Sequence, residues 1–225
     1  MIDTTMSASE YAKYKLIMAA IRLFGESGVN SVSLREINRA AGAKNNSALH
    51  YHYGDKMGLV SAAIDFIQEG FNKERGSGLD DLKEKAKKQP VTVDEIMQVF
   101  IAPYVTVIEK NDWGYNAVRA IARMEFDGDA KVHEVLNKSA GPAVRRMFAL
   151  LNLALPDIPP KLLKQRINFS VNAVIQGFAD HKNLQQSYLG NLAVKELGQL
   201  ASMYQSMTVA MLSAPNPDAV KKISK

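Results

Sequence analysis

The chain has 225 residues, of which 47% are hydrophobic and 23% are charged, a composition typical of globular domains with a sizeable core. It has no cysteine, which excludes disulfides, thiolate zinc sites and a cysteine nucleophile and favours a reducing compartment. We find no secretory signal and no run of roughly 20 apolar residues, so we expect a cytoplasmic protein without a membrane partner.

The positive charge is concentrated near the N-terminus. The net charge is +5, and residues 11–56 hold seven basic and three acidic residues, which leaves the remainder close to neutral. A basic end on a near-neutral body suits a polyanionic partner such as DNA. A solvated basic face explains the same pattern equally well.

Four helices are predicted in the first third of the chain. Ser7–Glu10 and Ser33–Glu36 are capping boxes, in which two residues satisfy each other's free backbone N–H groups at a helix start. A short helix is predicted over about 46–53. Asp55 is suited to cap a fourth helix, whose apolar residues recur at helical spacing as far as Phe71.

The middle of the chain is also predicted to be helical. Gly76–Gly78 is the expected break in the chain after the fourth helix. The highly charged residues 79–88 form either a surface helix or a mobile loop. Thr92–Glu95 is a third capping box and begins a helix to about Lys110. Pro103 is expected to kink that helix, because proline has no N–H and its ring clashes with the preceding turn.

The second half continues in the same way. Asp112 is expected to cap a helix to about Phe126, and the next helix is expected to be interrupted near Gly141–Pro142. Two long apolar helices are predicted over about 161–184 and 191–212, followed by a frayed tail. No alternating strand pattern is present, so the predicted class is all-α.

Two of these helices have the spacing of a helix-turn-helix. A helix from Ser33 to Ala41, a turn at Gly42 and a short second helix form the unit that places its second helix in the DNA major groove. Leu49 and Tyr53 are four residues apart and are predicted to face the core. The opposite, exposed face of the short helix then carries polar and aromatic groups that suit base edges: Asn46, Ser47, His50 and Tyr51.

This part of the sequence resembles the tetracycline-repressor-like (TetR) family of bacterial regulators. The matching segments run from Leu16 to Gly28, from Ser33 to Gly42 and from Leu49 to Lys56, with Leu59 beyond them, about the first quarter of the chain. Between Gly42 and Tyr53 the sequence has one residue more than the commonest family pattern, at Lys44 or Asn45. This insertion leaves two registers, one position apart, for the base-reading residues.

The resemblance implies an all-α protein with an N-terminal three-helix helix-turn-helix domain and a C-terminal helical bundle for ligand binding and dimerisation. We place the first domain at residues 1–55, the second at 56–214 and a flexible tail at 215–225. We assign base contacts to Asn45, Asn46, Ser47 and His50. Phosphate contacts are assigned to Ser33, Arg35, Lys44, Tyr51, His52 and Lys56.

The last two helices are apolar on more than one side. A helix with two apolar faces needs a second surface to bury them, and the same helix of a second subunit is the simplest one. The family resemblance implies the same four-helix interface, although the core of a monomer is the alternative. The residues assigned to a dimer interface are Phe169, Phe178, Leu200, Tyr204 and Met207.

The middle helices are rich in aromatic residues and methionine, in a region that encloses a small-molecule pocket in the family. Such residues also occur in an ordinary core, and arginines are also common on surfaces. We expect a small, largely apolar effector with one polar or acidic end and no cofactor or metal. The residues assigned to its pocket are Phe100, Tyr104, Arg119, Arg123, Phe148 and Asn172.

The resulting hypothesis is a homodimeric repressor that binds a double-stranded operator and is released by a small effector. The rival is a ligand-independent DNA-organising or partner-recruiting protein with the same fold. An enzyme is disfavoured, because the sequence has no glycine-rich phosphate loop, metal-ligand cluster or paired nucleophile and base.

Overall fold

The computed structural model describes residues 6–43 and 47–216, apart from the side chains of Ser47 and Ala48. Over these ranges it contains α-helices, one 3₁₀ segment (His181–Gln186) and no β-strand, which confirms the predicted all-α class. None of the helices described is long and apolar enough to span a membrane. In chain order they are α1 (Ala8–Ser27), α2 (Leu34–Ala40), α3 (Ser47–Tyr53), α4 (Lys56–Arg75), α5 (Gly78–Ala86), α6 (Val93–Lys110), α7 (Gly114–Asp127), α8 (Ala130–Ala154), α9 (Pro160–Asp180) and α10 (Leu197–Ser213).

The three predicted capping boxes are all formed. At the start of α1, the backbone N–H of Glu10 donates to Ser7 Oγ at 3.2 Å and the N–H of Ser7 donates to Glu10 Oε2 at 2.8 Å. Reciprocal bonds of the same kind begin α2 at Ser33 and α6 at Thr92. Each box satisfies two N–H groups that have no partner inside the helix, so these three helices begin where their local sequence predicts.

Two predictions are wrong, one about the middle of α8 and one about the start of α7. The helix α8 is continuous through Gly141 and Pro142. One proline removes one hydrogen bond, and the intact turns on both sides keep the segment helical. The residue before α7 is Trp113 rather than Asp112, and no side chain caps this helix. In contrast, most of residues 79–88 takes the helical alternative, as α5, because Leu79 and Leu82 are buried.

The final helix begins later than predicted. Residues 191–196 are not helical, and α10 starts at Leu197. Gly190 has a φ of 98° and the N–H of Ala193 donates to Asn191 Oδ1 at 3.0 Å. Glycine and asparagine form turns through these conformations and side-chain hydrogen bonds. They therefore end the preceding segment in a loop instead of opening a helix.

The chain divides into two compact units. The first comprises Met1–Gly70 and Lys110–Ala140, and the second comprises Phe71–Glu109 and Gly141–Lys225. Each unit therefore combines two separate stretches of the chain, and α4 and α8 each contribute residues to both.

The first unit is built on close packing between α1 and α7. A Cβ atom added to Gly25 would lie 2.9 Å from the backbone oxygen of Asn116, so only glycine allows this approach. Aromatic rings extend the core: Phe66 of α4 meets Tyr14 at 6.1 Å and Trp113 at 5.1 Å between centroids. These contacts fix the helices that support α3.

The second unit has its own apolar core. Phe178 of α9 is fully buried and stacks on Tyr104 of α6 with ring centroids 5.3 Å apart. The helices α9 and α10 run antiparallel, because Arg166 contacts Leu212 near one end and Gly177 lies against Tyr204 near the other.

Candidate nucleic-acid interface

The short helix α3 is held by its inward face. Leu49 has no exposed surface, and the Tyr53 hydroxyl donates to the backbone oxygen of Lys13 in α1 at 3.1 Å. Burial raises the pKa of Tyr53, which keeps the hydroxyl protonated and able to donate. Both residues were predicted to face the core, and the structure confirms this orientation.

The opposite face of α3 is open to solvent. Tyr51 is 84% exposed and His50 is also exposed, as predicted. The Nδ1 atom of His50 lies 2.7 Å from the backbone oxygen of Gly54. Because a carbonyl oxygen only accepts, Nδ1 carries the hydrogen, and in the neutral ring Nε2 is left as an acceptor. His50 can therefore accept a hydrogen bond from an exocyclic amine of a base.

His52 is half-buried between two tyrosines. Its ring lies 5.1 Å from that of Tyr51 and 6.3 Å from that of Tyr53, both edge to face. His52 thus has a packing role, in addition to the phosphate contact assigned to it from the sequence.

The N-terminal part of this surface carries the remaining assignments. Lys44, Asn45 and Asn46 lie outside the described residues, and α3 begins at Ser47, whose side chain is also outside them. Their assigned DNA contacts remain predictions. Their position immediately before and at the start of the exposed helix is the one from which a recognition helix contacts base edges.

Ser33 and Arg35 differ in how free their side chains are. The Ser33 hydroxyl donates to Glu36 Oε2 at 2.7 Å and accepts from the Glu36 N–H at 3.2 Å, so it is occupied by the helix cap. The Ser33 backbone N–H and the Ser33 hydroxyl both donate to the Glu36 carboxylate and lower its pKa, which keeps it charged. Arg35 is exposed, and none of the ion pairs among the described residues involves it. Arg35 is therefore better placed than Ser33 to hold a phosphate.

Lys56 begins α4 beside two carboxylates. Burial lowers the pKa of Lys56, while Asp129 and Glu36 oppose that shift. The turn before it is fixed, because Gly54 has a φ of 73° and the N–H of Gly58 donates to Asp55 Oδ1 at 2.8 Å. This bond confirms the predicted cap at Asp55 and orients the first turn of α4, which carries Lys56.

The residues assigned to a ligand pocket are divided between the two units. Phe100 and Tyr104 are buried in the second unit, where Phe148 and Asn172 also lie. Arg119 and Arg123 belong to the first unit, where Arg119 stacks over Tyr115 at 5.6 Å and Arg123 pairs with Asp127 at 3.5 Å. The two arginines are thus already engaged by neighbours on α7.

Some of the residues assigned to the dimer interface are buried in the chain and others are exposed. Phe178 and Leu200 are buried in the chain's own core, at 0% and 2% exposure, so they do not lie on a surface that a second subunit can reach. Tyr204 is half-buried, with its ring 5.9 Å from that of Phe178. Phe169 and Met207 are 64% and 58% exposed and remain available. The spacing of apolar residues in α9 and α10 does not show which apolar face packs inside the chain and which is left exposed.

One half-buried arginine escaped the sequence analysis. Arg75 lies four residues after Phe71, which itself lies four after Ile67, so it continues the buried stripe of α4. Its Nε atom is buried without a hydrogen-bond partner. Its i, i+4 spacing from Phe71 is the sequence signal that places it on this stripe, but a charged residue was not expected there.

The arrangement in the first unit is that of a helix-turn-helix. The helix α2 is followed by a turn at Gly42, which has a φ of 66°, and then by α3 with its polar face exposed. A helix supported from behind, with polar side chains outward and basic residues on both flanks, can enter a DNA groove and contact phosphates on its edges. The fold and this surface define a helix-turn-helix DNA-binding protein.

Two family models match the chain. The one described as bacterial regulatory proteins, tetR family, matches residues 16–63, and the one described as tetracyclin repressor-like, C-terminal domain, matches residues 98–211. The chain therefore belongs to the TetR family of transcriptional regulators, as its sequence had suggested. Members of this family are DNA-binding regulators rather than enzymes. Among curated proteins none matches the chain.

Solved structures share the fold at low identity. FadR from Bacillus subtilis in complex with stearoyl-CoA is 13% identical, with a TM-score of 0.58, over 88% of this chain and 98% of its own. FadR from Bacillus halodurans is 9% identical, with a TM-score of 0.61, over 92% and 97%. GusR from Salmonella enterica is 16% identical, with a TM-score of 0.59, over 94% and 100%. These likenesses support the fold and carry no residue-level assignment.

Proposed function

We propose that this regulator is a homodimeric repressor that binds a double-stranded operator and is released from it by a small effector. The single observation that carries DNA reading is the exposed face of α3, held from behind by Leu49 and Tyr53. Residues 1–55 are proposed as the reading domain and 56–214 as the domain for ligand binding and dimerisation.

Exposed apolar residues support the dimer. Phe169 of α9 and the pair Met203 and Met207, four residues apart on α10, are each more than half exposed. Exposed apolar residues clustered on adjacent helices are typical of a covered interface. A two-fold dimer presents two copies of α3 to half-sites about 34 Å apart, or a multiple of that spacing. We therefore propose Phe169, Met203 and Met207 as members of the interface.

Control by an effector is supported by the composition of the second unit. Phe100 and Tyr104 are buried aromatic residues of the kind that line small-molecule sites. FadR from Bacillus subtilis, which has this fold, is seen with stearoyl-CoA. We propose a largely apolar effector with an acidic end, which must bind the released state more tightly than the DNA-bound state.

The experiment is to select the operator from a random DNA library and measure binding by fluorescence anisotropy. Asn46→Ala should reduce the preference for one base by about 1–3 kcal/mol. Lys56→Gln should weaken binding to every sequence and reduce the salt dependence by about one phosphate contact. Equal and sequence-independent losses in both variants would contradict the proposed division of roles.

The oligomeric state is tested separately by sedimentation. Met207→Asp should yield monomers that bind a single half-site weakly, whereas Lys161→Asp, an exposed position on α9, should remain dimeric. A wild-type monomer that binds the full operator would exclude the dimer. The DNA-organising alternative predicts that no small molecule changes operator affinity.

A further inference from the structure

The side chain of Arg75 is half-buried near the C-terminal end of α4. It follows Phe71 on the buried stripe of that helix, and its Nε atom is shielded from solvent with no acceptor in hydrogen-bond distance. A buried N–H without a partner costs stability, and the cost is larger on a charged group. Proteins retain such a group where something else supplies the missing acceptor.

The charge of Arg75 has little compensation from the protein. Its Nη1 donates to Asn72 Oδ1 at 2.9 Å, and its guanidinium carbon lies 5.0 Å from the centroid of the Phe100 ring. None of the ion pairs of the described residues involves Arg75. Burial lowers the pKa of Arg75, and the Tyr104 hydroxyl only partly opposes the shift. A cation–π contact and one neutral amide offset only part of the desolvation of a guanidinium.

The neighbours of this cation are aromatic. The ring of Tyr104 lies 4.8 Å from Phe71 and 6.4 Å from Phe100, and all three residues are buried. In such low-polarity surroundings an oxyanion interacts with a guanidinium more strongly than it does in water. An apolar chain that follows its oxyanion head to Arg75 would displace part of this packing and contact the same rings.

The free edge of the guanidinium has the geometry of a bidentate donor. The Nε–H and the Nη2–H lie parallel on one side of the planar group, and the hydrogen bond of Arg75 to Asn72 uses Nη1. This fork matches the two oxygens of a carboxylate or of a phosphate monoester. A carboxylate placed there would satisfy the Nε–H and neutralise the buried charge at the same time.

We infer that Arg75 is the anchor for the oxyanion head of an amphipathic effector whose apolar body lies against Phe100 and Tyr104. The inference rests on the proposed control by a small molecule and names both the chemical class of that molecule and the residue that selects it. It replaces the role that the sequence assigned to Arg119 and Arg123, which are engaged by Tyr115 and Asp127.

The test uses the full-length protein and probes of defined chemistry. Hexanoate, octanoate, decanoate and dodecanoate are titrated against the wild type, with the methyl ester of each as a neutral match and decyl phosphate as the phosphate arm. Binding is measured by isothermal titration calorimetry and by the shift in melting temperature. The variants are Arg75→Gln, which removes the charge, and Arg75→Lys, which keeps the charge without the fork. Arg146→Gln removes another arginine of the same unit, one that is exposed and paired with Asp80.

We expect at least one acid or the phosphate to bind saturably, its ester to bind at least about tenfold more weakly, and Arg75→Gln to lose about 10–100-fold in affinity. Arg75→Lys should fall between them and Arg146→Gln should match the wild type. Equal binding of acid and ester, equal binding by Arg75→Gln, or no binding of any probe overturns the inference. If Arg75→Gln does not fold, the comparison of acid with ester on the wild type decides.

Operator affinity, measured with and without the bound probe, separates this inference from the proposed function. A probe that binds through Arg75 and leaves DNA affinity unchanged supports the anchor and contradicts release by an effector. A compound that releases DNA but binds Arg75→Gln as well as the wild type supports release and contradicts the anchor.

Discussion

The phenol ring of Tyr204 lies directly against the backbone of Gly177. A Cβ atom added to Gly177 would lie 1.8 Å from the hydroxyl oxygen and 1.9 Å from Cζ of that ring. This approach brings α10 close to α9, and it also sets the surroundings of the hydroxyl. Burial, reinforced by the charge of Asp180, raises the pKa of Tyr204.

Gly177→Ala should therefore destabilise the protein. The added methyl group requires the whole half-buried ring to move, which costs about 1–3 kcal/mol as for other overpacked sites. In a Tyr204→Ala background the clash is gone, and the same substitution should stabilise α9 by up to about 1 kcal/mol through helix propensity. Urea denaturation of the four proteins measures both values.

The control for this cycle is Gly198→Ala. Gly198 lies in α10 with no atom within 4 Å of an added Cβ, so the change should be neutral or slightly stabilising. A Gly177→Ala penalty that persists unchanged without Tyr204 would show that the close approach is not its cause.

Arg166 should hold the end of α10. Its Nη1 donates to the backbone oxygen of Leu212 at 2.9 Å, and its Nη2 donates to that of Pro215 at 2.9 Å. These carbonyls lie at or beyond the end of the helix, where a cation also interacts favourably with the helix dipole. Arg166→Met should cost about 2–3 kcal/mol, since charge-assisted hydrogen bonds are lost.

Hydrogen exchange distinguishes this role from a general packing defect. Amides near Leu212 should lose protection in Arg166→Met, while amides of α1 should not. Lys161→Met, at an exposed position of α9, the helix that carries Arg166, should leave the protection of both regions unchanged. Uniform loss of protection over the chain would argue against a local role.

The parts of the fold that the sequence predicted correctly depend on local interactions. A capping box such as Ser33–Glu36 needs only residues three apart, and both of its reciprocal bonds are present. The orientation of α3 followed from Leu49 and Tyr53, which are one helical turn apart. Both predictions require only the spacing of residues along a single helix.

The incorrect or missed features depend on the packing of distant segments. Phe178 has the same character as the exposed Phe169, and only the position of Tyr104 shows that Phe178 is covered. Arg75 was missed because a charged residue on an apolar stripe is unusual. Its meaning depends on Phe100, which is 25 positions later in the chain but 5.0 Å away.

Glu95 should contribute a pH-dependent term to stability. Its hydrogen bonds to the Lys85 ammonium and the Thr92 backbone N–H lower its pKa from 4.5 to about 2. The unfolded chain therefore binds a proton more readily than the folded one, so this contribution is complete above about pH 4.5 and is lost as the pH falls towards 2. Glu95→Gln removes this titration.

The measurement is the free energy of unfolding between neutral pH and the acid range. The difference between wild type and Glu95→Gln should be largest above pH 4.5 and should shrink as the pH falls. Glu109→Gln, an exposed position on the same helix, makes the same change in charge as the matched control. A difference that grows on acidification would have the wrong sign for this mechanism.

Arg35 should act on DNA through charge rather than sequence. It is exposed on α2, beside the helix proposed to enter the groove. Arg35→Gln should weaken binding to operator and random DNA by similar factors and lower the slope of log K against log salt by about one unit. Arg22→Gln is the matched control, because that arginine pairs with Glu26 on α1 at 3.3 Å and should leave the slope unchanged. If Arg35→Gln instead reduces operator binding alone, the residue reads a base edge, and the groove contacts must extend from α3 to the start of α2.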